Sequence, residues 1–130
     1  VYERDSVIFD QIEYSWPVLT GLMCAAAQNS GCLKVLDFGG SLGSSYFENR
    51  LFLNSLPNFS WNIVEQTHFV VAGKKHIQGK YLRFFETIDD CVQDIKPNAI
   101  LLSSVLQYLR EPGKIIDTLI KIGSDVILID

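Results

Sequence analysis

Asp37, Gly39, Gly40, Gly43 and Glu65 are the residues whose types and spacing could do chemistry in this chain. The run Val35-Leu36-Asp37-Phe38-Gly39-Gly40-Ser41-Leu42-Gly43 begins as an apolar strand pattern and leads into a helical one. Its glycines therefore stand where a strand turns into a helix. Glycine at such a turn removes the side chains that would keep a ligand away from backbone N–H groups at a helix N-terminus. Glu65 closes the next strand pattern, where an acidic residue accepts hydrogen bonds from ribose hydroxyls, and Gln66 follows it on the side expected for a purine ring. The set points to an adenosine-type ligand.

Charge narrows the choice. The loop reads D-x-G-x-x-x-G, with Ser41 where a dinucleotide site of the G-x-G-x-x-G type has a second glycine. A carboxylate at Asp37 would repel a pyrophosphate, whereas S-adenosylmethionine has no phosphate and presents an ammonium and a sulfonium. S-adenosylmethionine is the expected cofactor, and an NAD-binding oxidoreductase domain is the weaker alternative. Further candidates follow from position. Glu86, Thr87 and Ile88 come after the third strand pattern and are placed to flank the adenine, although Thr87 serves equally as a helix cap. Ser103 and Ser104 end the fourth, where a backbone carbonyl could meet the ammonium. Gln107 and Tyr108 are candidates for the methyl-acceptor side, and Tyr14 and Trp16 fit core aromatics better than a lid over the ligand.

The elements that must position these residues alternate. Strand patterns occupy 33–38, 59–65, 81–85, 98–103 and 125–130, and helical patterns lie between them. Ser45 and Glu48 have the spacing of a capping box behind the glycines, Thr67 is placed to cap a helix through Ala72, and Gly73-Lys74-Lys75-His76 reads as a turn. Thr87 is placed to cap a helix over 88–95, a helical turn covers 105–109, and a helix covers 114–122. Ahead of them, Ile8, Ile12, Trp16, Leu19, Met23 and Ala26 recur at steps of three or four, interrupted at Pro17, which predicts two helices meeting near Ser15. The fold class is α/β: a doubly wound parallel sheet of order 3-2-1-4-5, with ligands at the carboxyl ends of the first and fourth strands. We read one domain over 1–130, with N-terminal helices over 1–31 and the sheet core over 32–130. The apolar last strand would stand as an exposed edge able to self-associate, so the reading includes a C-terminal portion that is missing.

Composition sets the outer bounds. Of the 130 residues 48% are hydrophobic and 20% charged, as in a folded globular domain. The formal net charge is -4 with no basic run longer than Lys74-Lys75, which argues against a nucleic-acid partner. The apolar stretch 16–23 is too short to span a bilayer, so a cytoplasmic protein without a membrane span is expected. Cys24, Cys32 and Cys91 have no metal-type spacing and read as small buried side chains, and His68 and His76 are too isolated to build a zinc site.

From Leu33 onward the sequence resembles the class I S-adenosylmethionine-dependent methyltransferases. Asp37 to Gly43 looks like that family's first motif, Glu65 its ribose acid, 102–109 the segment after its fourth strand, and 126–130 its fifth strand. Tyr14-Ser15-Trp16-Pro17, the stretch 37–46, Val64-Glu65-Gln66 and 103–109 are similar more closely to a family of methyltransferases encoded in bacterial surface-polysaccharide gene clusters. The resemblance implies a Rossmann-like core that lacks the family's last two strands. It also implies methyl transfer to a small-molecule acceptor, such as a sugar or polysaccharide precursor. A non-catalytic S-adenosylmethionine-binding module is the alternative of a different class. No catalytic residue is assigned.

Overall fold

The apolar runs become the parallel strands of a central sheet, because a strand covered by helices on both faces needs apolar side chains on both. The computed structural model describes residues 2–4 and 7–130. In chain order the elements are β1 (Tyr2–Arg4), β2 (Val7–Phe9), α1 (Trp16–Gln28), β3 (Cys32–Phe38), α2 (Ser44–Leu53), β4 (Asn58–Val64), α3 (Thr67–His76), β5 (Leu82–Phe85), α4 (Ile88–Asp94), β6 (Ala99–Leu102), a 3-10 turn (Leu106–Tyr108), α5 (Pro112–Ile120) and β7 (Val126–Ile129). The five main strands lie in the order β5-β4-β3-β6-β7, and all four pairings are parallel. Counted along the sheet's own strands this is the expected 3-2-1-4-5.

Two apolar layers cover the sheet. On one face Leu33, Val35, Trp61, Ile63, Leu82, Phe84 and Leu101 pack with side chains of α1, α2 and α3. On the other, Leu36, Val64, Ile100 and Leu102 pack with Cys91 of α4 and Leu119 of α5. Helices leave β3 and β4 on the first face and β5 and β6 on the second. The change of face falls between β3 and β6, which is where a doubly wound sheet opens a crevice. No helix among the described residues is long and apolar enough to cross a membrane.

Several local expectations are corrected. Among the described residues there is no helix ahead of Ser15: Val7–Phe9 pairs antiparallel with Tyr2–Arg4, and Ile8 and Ile12 are exposed. Their helical spacing meets no core, and spacing alone cannot report that. Pro17 does sit in the first turn of α1, where its missing N–H costs nothing. The Ser45–Glu48 capping box does not form, because α2 begins two residues earlier, behind Gly43 at φ 94°, with no side-chain cap. Thr67 is not a cap either: Gln66 precedes α3, and the helix runs on through Gly73 to His76. Gly73 is no turn residue, since a Cβ there would stand 2.6 Å from the Phe84 ring, so the glycine lets the helix lie close on β5. Of the cysteines only Cys91 is buried, Cys24 being exposed and Cys32 half-buried. Burial pushes the Cys91 thiol up to about 12, so it stays protonated and unreactive.

Candidate functional site

Asp37 is the second-last residue of β3, the middle strand, with Ile63 of β4 on one side and Leu101 of β6 on the other. It is 1% exposed. The indole Nε1–H of Trp61 donates to its Oδ2 at 2.9 Å, while among the described residues Oδ1 has no hydrogen-bond partner. Burial, the largest effect, pushes the carboxyl up to about 7; the Trp61 hydrogen bond works against this, and the negative charge of Glu65 adds to it. The carboxyl is thus held in a fixed orientation, with no positive group among the causes of its shift.

The chain then turns through the glycines. Gly39 has φ 73°, its N–H donates to the Val64 carbonyl at 2.9 Å, and a Cβ on it would overlap the Val105 side chain. A Cβ on Gly40 would overlap the Asp37 carboxylate. Gly43 closes the turn, its N–H donating to the Gly40 carbonyl at 2.9 Å. Ser41 itself takes the left-handed conformation, φ 52°, that glycine would adopt freely, a cost of roughly 1–2 kcal/mol. Its N–H donates to Glu65 Oε1 at 3.3 Å, and the Gln66 N–H donates to Glu65 Oε2 at 2.6 Å. Glu65 therefore spans from the end of β4 to the glycine loop.

Two cavities open at this end of the sheet. The larger, about 410 Å³, is lined by Phe38, Gly39, Val64, Glu65, Gln66, Glu86, Ser104, Val105, Tyr108 and Leu109. The smaller, about 50 Å³, lies over Asp37 and is lined by Gly39, Gly40, Ser41, Ser44, Ser45, Ser103 and Ser104. Gly39 and Ser104 belong to both. Ser104 also has a positive φ, 53°, as the chain leaves β6 for the 3-10 turn that carries Tyr108. Among the described residues no lysine, arginine or histidine lines either cavity, while Asp37, Glu65 and Glu86 do.

Most residues singled out from sequence meet here, whereas Gly43, Thr87, Ile88, Gln107, Tyr14 and Trp16 line neither cavity. Thr87 lines neither cavity: its Oγ1 accepts the Asp90 N–H at 3.0 Å, which makes it the cap of α4. Thr87→Ala should lower stability by about 1 kcal/mol in thermal melts and leave adenosine-ligand affinity unchanged. Ile88 lines a separate groove with residues of α4 and α5, and Gln107 is exposed and lines neither cavity. Tyr14 and Trp16 lie tilted against each other and edge-on to Phe52 in the last turn of α2, with ring centroids 5.1–6.2 Å apart. They line neither cavity, and Trp16 is not a core residue, being 58% exposed. Sequence reading missed Trp61 and Val105. The only trace of Trp61 was that it stands on the same strand face as Ile63, the neighbour of Asp37.

The comparisons bear on the fold. A scan against models of protein families finds no match, and a search among curated proteins finds none either. Among solved structures, the one titled "Crystal Structure of EvdMO1" matches with a TM-score of 0.53 at 18% sequence identity, over 89% of this chain and 29% of that one. The chain has a Rossmann-like α/β fold. It spans under a third of the length of the EvdMO1 structure, and at this identity the likeness shows the arrangement of the backbone alone.

Proposed function

We propose that the chain binds S-adenosylmethionine across the carboxyl ends of β3, β4 and β6 and belongs to a methyltransferase acting on a small-molecule acceptor, of which a sugar or polysaccharide precursor is the class the sequence resemblance suggests. The observation that carries this reading is Asp37, a buried carboxylate with one oxygen unpartnered among the described residues, beside a loop in which Gly39 and Gly40 have no room for side chains. A buried acceptor left unpartnered is costly unless something completes it, and a ligand ammonium would. With acidic and neutral groups alone lining both cavities among the described residues, a cationic ligand is favoured over a phosphorylated one.

In this reading Asp37 with the adjoining Gly39, Gly40, Ser103 and Ser104 holds the amino-acid end, Glu65 the ribose hydroxyls, and Gln66 with Glu86 the adenine. Bound cofactor supplies an electrophilic methyl on a sulfonium. The protein's own task is to orient it and exclude water, since methyl transfer is chiefly a matter of in-line positioning. Val105 and Leu109 supply apolar cover beside the loop, and exposed Tyr108 forms part of the rim toward the acceptor.

Calorimetry with S-adenosylmethionine, S-adenosylhomocysteine and NAD in parallel tests the cofactor; tighter binding of NAD would overturn the assignment. Glu65→Ala should weaken binding by about 1–3 kcal/mol, since it removes a charged acceptor from the ribose. Unchanged affinity would move the ribose elsewhere. A labelled-methyl assay separates an enzyme from a module that binds without turnover.

A further inference from the structure

The Trp61 indole is fully buried, and its only polar atom meets Oδ2 of Asp37 at 2.9 Å, leaving Oδ1 as the oxygen without a partner on a carboxylate that lines the small cavity. We propose that Trp61 is a positioning residue: its N–H holds Oδ2 on the β4 side and so presents Oδ1 to a cationic group of the ligand. This rests on the cofactor reading above for the identity of that group. The choice of donor matters. An indole N–H is neutral and can only donate, so it orients the carboxylate in either protonation state without cancelling its charge. A lysine or arginine at the same place would satisfy Asp37 electrically and remove its preference for a cation. A hydroxyl could rotate and turn acceptor toward a protonated carboxyl. The strand register supplies the reach: Trp61 lies opposite Val35, two residues before Asp37 on the same face, the diagonal distance that long side chains span.

The same bond makes Trp61 a part-determinant of how Asp37 titrates. Among the described residues, the charge acting on Asp37 is Glu65 at the end of β4; α2 turns Ser44 and Ser45 toward it, and β6 is followed by Ser103 and Ser104. A hydrogen bond from Trp61 stabilises the ionised form, so its loss should move the titration upward from about 7.

The test uses Trp61→Phe, together with a chain carrying benzothienylalanine at position 61 in a Trp16→Phe background, which keeps the bicyclic shape and removes only the N–H. Affinity for S-adenosylhomocysteine is measured from about pH 5.5 to 8.5, and the Asp37 carboxyl is titrated by carbon NMR in the ligand-free protein. Both variants should lose about tenfold in affinity near pH 7, recover part of it at the alkaline end, and show an Asp37 midpoint above that of the unsubstituted chain. Folded variants with unchanged affinity and an unchanged midpoint would overturn the proposal and leave Trp61 as core packing. If the unsubstituted chain does not bind S-adenosylhomocysteine, the cofactor reading fails. The ligand-free titration still decides on Trp61: an unmoved midpoint overturns its hold on Asp37, and a raised one upholds it.

Discussion

Asp37→Asn should make the protein more stable at neutral and alkaline pH while removing most of its affinity for S-adenosylmethionine. The carboxyl is buried and pushed up to about 7 from an ordinary 3.8. Between these values the folded chain keeps a proton that the unfolded chain has released, so the folded state binds more protons and stability falls as pH rises through that window. Above about 7 both states are ionised and the loss is complete. At ~1.4 kcal/mol per pH unit, the interval from 3.8 to about 7 amounts to roughly 4–5 kcal/mol. Asparagine carries no charge to desolvate, still accepts the Trp61 N–H, and turns its amide toward the serine hydroxyls over Asp37. Urea unfolding from about pH 4 to 8 should therefore show the original chain losing stability and the variant holding level. Ligand affinity should move the other way, by about 2–5 kcal/mol at pH 8, since an ammonium would lose its anionic partner. Below pH 7 the gap should close, because there the original chain neutralises Asp37 itself. A variant that binds as tightly as the original at pH 8 would exclude Asp37 from the ligand site.

The second large effect is expected at Gly39. Gly39→Val should abolish binding and lower the melting temperature. The position has φ 73°, which a β-branched residue resists, and the new Cβ would overlap Val105 on the chain that leaves β6. Val105 packs on one side against the apolar layer around Ile100 and Leu102, so a retreat from the new Cβ would carry it into the larger cavity, the space proposed for the ligand. Gly113→Val is the matched control: nothing lies within 4 Å of a Cβ there, so it should leave binding intact. Circular dichroism and melting of both variants separate a blocked loop from an unfolded domain. Gly39→Ala with Val105→Ala relieves the overlap but not the positive φ, and should recover folding more than affinity. Full affinity in a folded Gly39→Val protein would contradict the loop's role.

Much of this was legible in the chain because it depends on local chemistry. Apolar runs of strand length separated by helical stripes announce a wound parallel sheet, and their order along the chain needs no distant information. Gly39, Gly43 and the acid at Glu65 could be placed for the same reason: Gly39 and Glu65 directly follow a strand, and Gly43 directly precedes a helix. The failures occurred where a residue type has two uses. Gly73 reads as a turn, yet it serves a close approach of α3 to Phe84. Ile8 and Ile12 keep helical spacing without a core to face, and Thr87, open to two roles, is a cap.

By itself, then, the sequence determined the α/β class, the strand-to-helix turn and its acidic partner, because backbone preference and hydrophobic period act over a few residues. Only the tertiary structure decided which side chains those elements bring together. Asp37 and Trp61 are 24 residues apart and meet through the parallel register of β3 and β4. Val105 reaches Gly39 because β6 lies beside β3. The burial that gives Asp37 its unusual titration, and the oxygen it leaves without a partner, come from the closing of helices over the sheet, an effect of packing that no local pattern encodes.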